Sequence, residues 1–290
     1  MGRVPHERQV RVRDARLALF EWPGAEPTAL FVHATGFHAR CWDGVLRELP
    51  DVHALALDLR GHGRSERLPP YDWESFGEEL AALARALELR DVVGVGHSFG
   101  GYLVAYAAAL EPGRFRSLVL VDPVILDPEV VKLRQGEGGG HPASEGVRRR
   151  KNRFRSPEEM FERFRERPPY ASWREDVLRD YCHHGVLPAA DGEGYTLACP
   201  PDIEAEIYES GSGQHILPLL SRIQIPVTVL RAREREGISA VPNFALSPTW
   251  PELAAQLPNA RDVYLPERSH FLPMEVPELV AGYVSEALRA

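Results

Sequence analysis

Residues 92–101 constrain this chain more than any other stretch. Val92-Val93-Gly94-Val95 is a short apolar run that reads as a buried strand. It ends in Gly96-His97-Ser98-Phe99-Gly100, a Gly-x-Ser-x-Gly pattern, and the small-residue run from Tyr102 to Leu110 continues as a helix. A strand that turns straight into a helix leaves no room for side chains two residues either side of the bend, so the glycines are needed and the serine takes a strained backbone conformation. Ser98 is thereby offered as a nucleophile. The same bend puts the Phe99 N–H at the first turn of a helix, where a developing negative oxygen is stabilised.

Other segments supply a scaffold for this element. Val10 to Val12 and Leu17 to Trp22 read as a hairpin at a sheet edge, joined near Asp14. Ala29-Leu30-Phe31-Val32 and Val52 to Leu57 are continuous apolar runs, as expected of strands buried on both faces of a parallel sheet. Further strands are expected at Ser117–Val121, Val227–Leu230 and Val263–Leu265, and helices at Cys41–Leu49, Ser75–Leu87 with a Ser75/Glu78 capping box, and Pro277–Leu288. The loop His33-Ala34-Thr35-Gly36-Phe37 follows a central strand, where α/β folds place ligand sites, and the Thr35 N–H is the expected second oxyanion donor. His62, between two glycines in Asp58-Leu59-Arg60-Gly61-His62-Gly63-Arg64-Ser65, reads as a residue that fixes loop geometry.

Composition narrows the function classes. No apolar run approaches a membrane span, and the N-terminal residues lack the apolar stretch of a signal peptide, so a cytoplasmic, non-membrane protein is expected. The net charge of -8 opposes nucleic acid as a partner, because phosphate binding needs a positive field; a small-molecule substrate is expected instead. Cys41, Cys182 and Cys199 fit neither a disulfide framework nor a zinc site, and they read as reduced and structural. Lys132 and Lys151 are the only lysines among 34 basic residues, so arginine-based surface ion-pair networks are expected. The basic run Arg148-Arg149-Arg150-Lys151 is followed by Glu158, Glu159, Glu162 and Glu166 and reads as a solvated face. His183-His184 has no further ligand at metal spacing.

In order and spacing, His33-Ala34-Thr35-Gly36, Asp58-x-Arg60-Gly61-His62-Gly63-x-Ser65, Gly96-His97-Ser98-Phe99-Gly100-Gly101 and Ser269-His270-Phe271 resemble the α/β-hydrolase superfamily, specifically esterase-like serine hydrolases with a helical cap. One departure is Ala34, where the family usually carries glycine. The resemblance implies an α/β fold: a mostly parallel eight-stranded sheet with helices on both faces, formed by residues 1–125 and 224–290. Residues 126–223 would form a helical cap, with Phe154, Phe161, Phe164, Tyr170, Trp173 and Tyr181 as its core and in part the wall of a pocket over Ser98. Within that insertion, the glycine-rich 135–140 is a candidate hinge or loop.

Serine needs a base in hydrogen-bond reach, and His270, following the last strand, is the expected one. The orienting acid in most relatives follows the strand at Val227–Leu230, where this chain has Arg231-Ala232-Arg233-Glu234-Arg235-Glu236. Asp122, at the end of the preceding core strand, is favoured, with Glu234 and Glu236 as alternatives. The implied activity is hydrolysis of carboxylic esters of small to medium apolar substrates through an acyl-enzyme, with no cofactor and no metal. Lactone, thioester or carbon–carbon bond hydrolysis, cofactor-free perhydrolysis and a non-enzymatic role as a small-molecule receptor are the alternatives.

Overall fold

The computed structural model describes residues 3–136, 143–211, 215–235, 243 and 245–290. In chain order the first half contains β1 (His6–Val12), β2 (Ala15–Trp22), β3 (Ala25–Val32), α1 (Asp43–Arg47), β4 (Val52–Leu57), α2 (Trp73–Ala86), β5 (Val92–His97), α3 (Phe99–Leu110) and β6 (Phe115–Val121). An insertion follows with α4 (Pro128–Gly136), α5 (Ser144–Arg148), β7 (Arg153–Phe154), α6 (Pro157–Phe164), α7 (Glu175–His184), β8 (Val186–Pro188), β9 (Tyr195–Leu197) and α8 (Pro201–Ser210). The chain closes with β10 (Val227–Arg231), β11 (Ala260–Tyr264), α9 (Leu272–Glu275) and α10 (Pro277–Arg289).

Eight strands form one sheet in the order β1-β2-β4-β3-β5-β6-β10-β11. Only β2 runs antiparallel to its neighbours β1 and β4; the rest pair in parallel. The period of two along each strand divides the apolar residues between two cores. Leu17, Leu19, Leu30, Val32, Leu55 and Leu57 face α2 and α3, while Ala18, Phe20, Trp22, Ala29, Phe31, Ala54 and Ala56 face α1 and α10. Both faces are thus covered, which is why these strands are apolar at successive positions.

Several local expectations shift. Cys41–Leu49 is a 3-10 turn at Ala39–Trp42 followed by the short α1, instead of one helix. Helix α2 is not capped by a Ser75/Glu78 box. Asp72 precedes it and accepts the Ser75 N–H at 2.8 Å, because its extended backbone suits an N-cap while Ser75 lies already inside the helix. Helix α4 runs through Gln135 and Gly136, so the glycine-rich segment starts inside a helix and its remainder lies outside the described residues.

The insertion holds more than helices. β7, β9 and β8 make a small antiparallel sheet, and Phe154, Met160, Phe161, Trp173, Val177, Leu178 and Tyr181 form a third apolar cluster with Phe271 and Met274. Arg47 on α1 ties it to the main sheet's side of the molecule, pairing with Asp176 and Asp180 of α7 at 2.7 Å each. Before β10, Ile216, Leu220 and Ile223 already pack into the core cluster around α3. The arginine-rich composition shows as numerous surface pairs of this kind, and the three cysteines are buried and free. No helix among the described residues is long and apolar enough to cross a membrane.

The backbone of α3 presses directly on that of β3. A Cβ on Gly100 would sit closer than 3.0 Å to the carbonyl oxygens of Val32 and His33, and one on Gly96 would meet the Gly100 carbonyl as closely. Backbone cannot yield as a side chain would. Gly100→Ala is therefore expected to cost about 2 kcal/mol or more, lowering the midpoint of thermal unfolding by roughly 5 °C. A calorimetric midpoint equal to that of the unmodified protein would show that the crossing has slack.

Candidate active site

Ser98 sits where β5 gives way to α3, with φ 57 and ψ -119, a region that costs most residues energy. Neighbouring backbone holds it there. The Ser98 N–H donates to the Val121 carbonyl at the end of β6, and the Ser98 carbonyl accepts from Val124 N–H, each at 3.0 Å. One residue beyond β6, Asp122 is also at positive φ (46), with its N–H donating to Leu230 O of β10 at 2.7 Å. The carboxyl ends of β5, β6 and β10 are in this way laced together.

Three of the expected residues meet here. Ser98 Oγ lies 2.9 Å from His270 Nε2, and His270 Nδ1 lies 2.6 Å from Asp122 Oδ2. All three are buried, Asp122 completely and Ser98 with 7% of its surface accessible. Because Asp122 accepts from Nδ1–H, Nε2 is left to accept from the serine hydroxyl. Glu234 is not at this site: it is exposed and reaches Arg231 at 3.6 Å. Glu236 lies outside the described residues.

Asp122 is held by groups far from it along the chain. Oδ1 accepts from the Ser247 hydroxyl at 2.5 Å and the Ala232 N–H at 3.0 Å, and at 3.2 Å from the Thr249 hydroxyl, whose proton it shares with the Pro123 carbonyl at 2.8 Å. Ala232 stands just after β10, where most relatives carry the acid, and here its backbone N–H serves the carboxylate arriving from β6. Three donors on one oxygen keep the carboxylate oriented and leave the other oxygen for His270. Ser247-Pro248-Thr249 has no periodicity or spacing that points to Asp122, and only the folded chain brings it there.

His97 is another residue not singled out by sequence. Its Nε2 donates to the His270 carbonyl at 2.8 Å, fixing the loop that bears His270. Burial, and the His270 ring 5.0 Å away, push the His97 imidazole well below the ordinary histidine range, so it is the neutral Nε2–H tautomer that makes this bond.

The Thr35 loop is shaped by two buried histidines. His33 Nε2 accepts from Leu59 N–H at 2.9 Å, and His62 Nε2 accepts from Gly36 N–H at 3.0 Å. Their Nδ1 atoms then donate to Ala34 O (2.8 Å) and Arg60 O (2.9 Å). His62 is thus a loop brace, as its place in the turn suggested. Gly36 takes φ 78, supplying the left-handed position that Ala34 does not need to provide. Phe99 directly follows Ser98 and opens α3, and the Thr35 N–H has no backbone acceptor among the described residues.

The Asp58 motif works behind this loop. Asp58 Oδ1 accepts from Ala39 N–H at 2.7 Å and Oδ2 from Arg64 N–H at 2.8 Å, and burial pushes its carboxyl up to about 6. His183-His184 forms no metal set: His184 packs edge-on to His38, and the described residues contain no group of three metal-capable side chains.

A model of the alpha/beta hydrolase family matches residues 29–282. Over 103 residues the chain is 37% identical to lipase LipV of Mycobacterium tuberculosis, a stretch covering 36% of this chain and 40% of the relative. Over 107 residues it is 39% identical to a non-heme chloroperoxidase of Streptomyces lividans, covering 36% and 38% respectively. In both, the match spans less than half of the relative. A solved structure of E-2-(acetamidomethylene)succinate hydrolase superposes with a TM-score of 0.80 at 21% identity, covering 99% of this chain and all of the other.

The buried histidines make stability depend on pH. Burial holds His62 near 4 and His38 near 3, and His33 and His97 are also well below the ordinary range. Below pH ~6.5 the unfolded chain binds protons on these groups that the folded chain does not, so stability falls as pH drops from there toward 4, by roughly 1 kcal/mol per pH unit for each. Asp58, raised toward 6, and the raised carboxyls of Asp43, Glu79, Asp180 and Glu204 oppose this below pH ~6, while the lowered His184 adds to it. Denaturant midpoints at pH 7.5, 6 and 5 should decline in that order. A flat series would mean that the histidines are not held neutral.

Proposed function

The chain belongs to the alpha/beta hydrolase family, and from that membership we propose that it hydrolyses carboxylic esters of small to medium, largely apolar substrates through an acyl-enzyme. The observation that carries this reading is the pair of hydrogen bonds linking Ser98, His270 and Asp122. His270 takes the Ser98 proton as Oγ attacks the carbonyl carbon, then gives it to the departing alcohol. Asp122 keeps the imidazole in the required tautomer and balances the charge it acquires. The Thr35 and Phe99 N–H groups receive the negative oxygen of the tetrahedral intermediate, each worth about 3 kcal/mol of barrier. Water attacks the acyl-serine by the same route in reverse.

A serine at this position supports acyl transfer and not displacement at saturated carbon, which needs a carboxylate nucleophile. The insertion would serve as a cap. Phe37 stacks on Phe271, the neighbour of His270, with centroids 6.2 Å apart, and also contacts Trp173 and Tyr181 of the insertion, which favours an apolar acyl or alcohol group beside the serine. The resemblance to a chloroperoxidase supports a second reading in which hydrogen peroxide replaces water at the acyl-serine and releases a peracid.

Ser98→Ala should lower kcat for nitrophenyl esters by at least about a thousand-fold while leaving the unfolding midpoint in place. Undiminished turnover would refute the nucleophile. Ser247→Ala, which removes one donor from Asp122, should reduce kcat roughly ten-fold with little change in KM. An altered KM at unchanged kcat would instead make Ser247 a substrate contact.

A further inference from the structure

The basic run Arg148 to Lys151 is not the uniform solvated face that its sequence suggests. Arg148, Arg149 and Lys151 pair at the surface with Glu209, Glu145 and Glu159. Arg150 turns inward. Its Nη1 donates to Glu204 Oε2 at 2.6 Å, and the Glu204 side chain keeps only 5% of its surface accessible against 27% for Arg150. Tyr181 and Tyr170, from the aromatic wall, stand near enough to act on the same guanidinium electrostatically.

This pair borders the site. The Glu204 carboxylate lies against the backbone of Gly36, so close that a Cβ there would come within 3.0 Å of its carboxyl carbon. Gly36 follows Thr35, and the guanidinium therefore stands one carboxylate away from the loop that bears an oxyanion donor. A buried ion pair adds little net stability over apolar residues of the same volume, and a site for wholly apolar esters has no use for one. A guanidinium carries five N–H donors in a rigid fork, of which Glu204 is bonded by Nη1; the accessible remainder suits a second carboxylate. Glu204 fixes the fork, and the attraction to an incoming anion comes from the donors it leaves open.

We propose that the site takes substrates bearing a free carboxylate a few atoms from the scissile carbonyl, and that Arg150 is the specificity-determining residue that holds it. This rests on the hydrolase reading above and narrows its substrate class: an otherwise apolar acyl group with one anionic end.

The probes are monomethyl succinate, which has the anion, and dimethyl succinate, which does not. Binding is measured by calorimetry on Ser98→Ala protein, so that it requires no turnover. The monoester should bind at least about ten-fold more tightly than the diester, and adding Arg150→Met with Glu204→Gln, which removes both charges together, should abolish that preference. Equal binding of the two esters, no binding of the monoester at millimolar concentration, or a preference that survives the double substitution would overturn the proposal. Should the double variant fail to fold, Arg150→Lys replaces it; a point charge without the fork should lose most of the preference, and full retention would count against the proposal. Turnover by the unmodified protein separates the two readings. Hydrolysis of both esters at equal kcat/KM sinks the anion site and keeps the hydrolase, whereas Arg150-dependent binding without hydrolysis of either does the reverse.

Discussion

The rest of the structure depends on how closely the backbone of α3 approaches that of β3. Gly100 lies against the Val32 and His33 carbonyls with no room for a side chain, and Gly96 against Gly100. That approach forces the chain at Ser98 into a backbone conformation it would not otherwise take, and the surrounding sheet absorbs the cost. Because Ser98 is also hydrogen-bonded through its backbone to the end of β6, the crossing sets the position of Asp122 as well.

Around this point the protein uses neutral polar groups as rigid struts. His33 and His62 each accept a backbone N–H on Nε2, which only the uncharged ring can do, and His97 donates its Nε2–H to the His270 carbonyl. Burial keeps them uncharged. The same low-dielectric surroundings raise Asp58 and make its two backbone bonds stronger than they would be in water. Charge is held where it is bonded: Asp122 Oδ1 takes several donors, and Arg150 pairs with Glu204 within the insertion.

Much of this was legible in the residues. The continuous apolar strands, the hairpin edge, the glycine-flanked serine and the late histidine all follow from local rules, because burial on two faces and tight turns each demand particular side chains at adjacent positions. Asp122 was the favoured acid on the strength of its place at a strand end. Legibility stopped where partners are far apart in sequence. Ser247 and Thr249 bond an aspartate more than 120 positions earlier, and their hydroxyls look like those of any loop. Arg150 was hidden for the opposite reason: its neighbours in sequence are surface arginines, and a charge run says nothing about which member turns inward.

What the sequence determined by itself is the setting of Ser98, since a serine between glycines at a strand-to-helix bend has few other ways to pack, and the division of each strand into two apolar faces. What only the tertiary structure decided is which oxygen of Asp122 is left for His270, which imidazoles are struts, and which arginine pairs with the buried Glu204. Those outcomes rest on hydrogen bonds a few ångströms long between segments that nothing in the one-dimensional chain holds together, and they exist only once the core has brought those segments into contact.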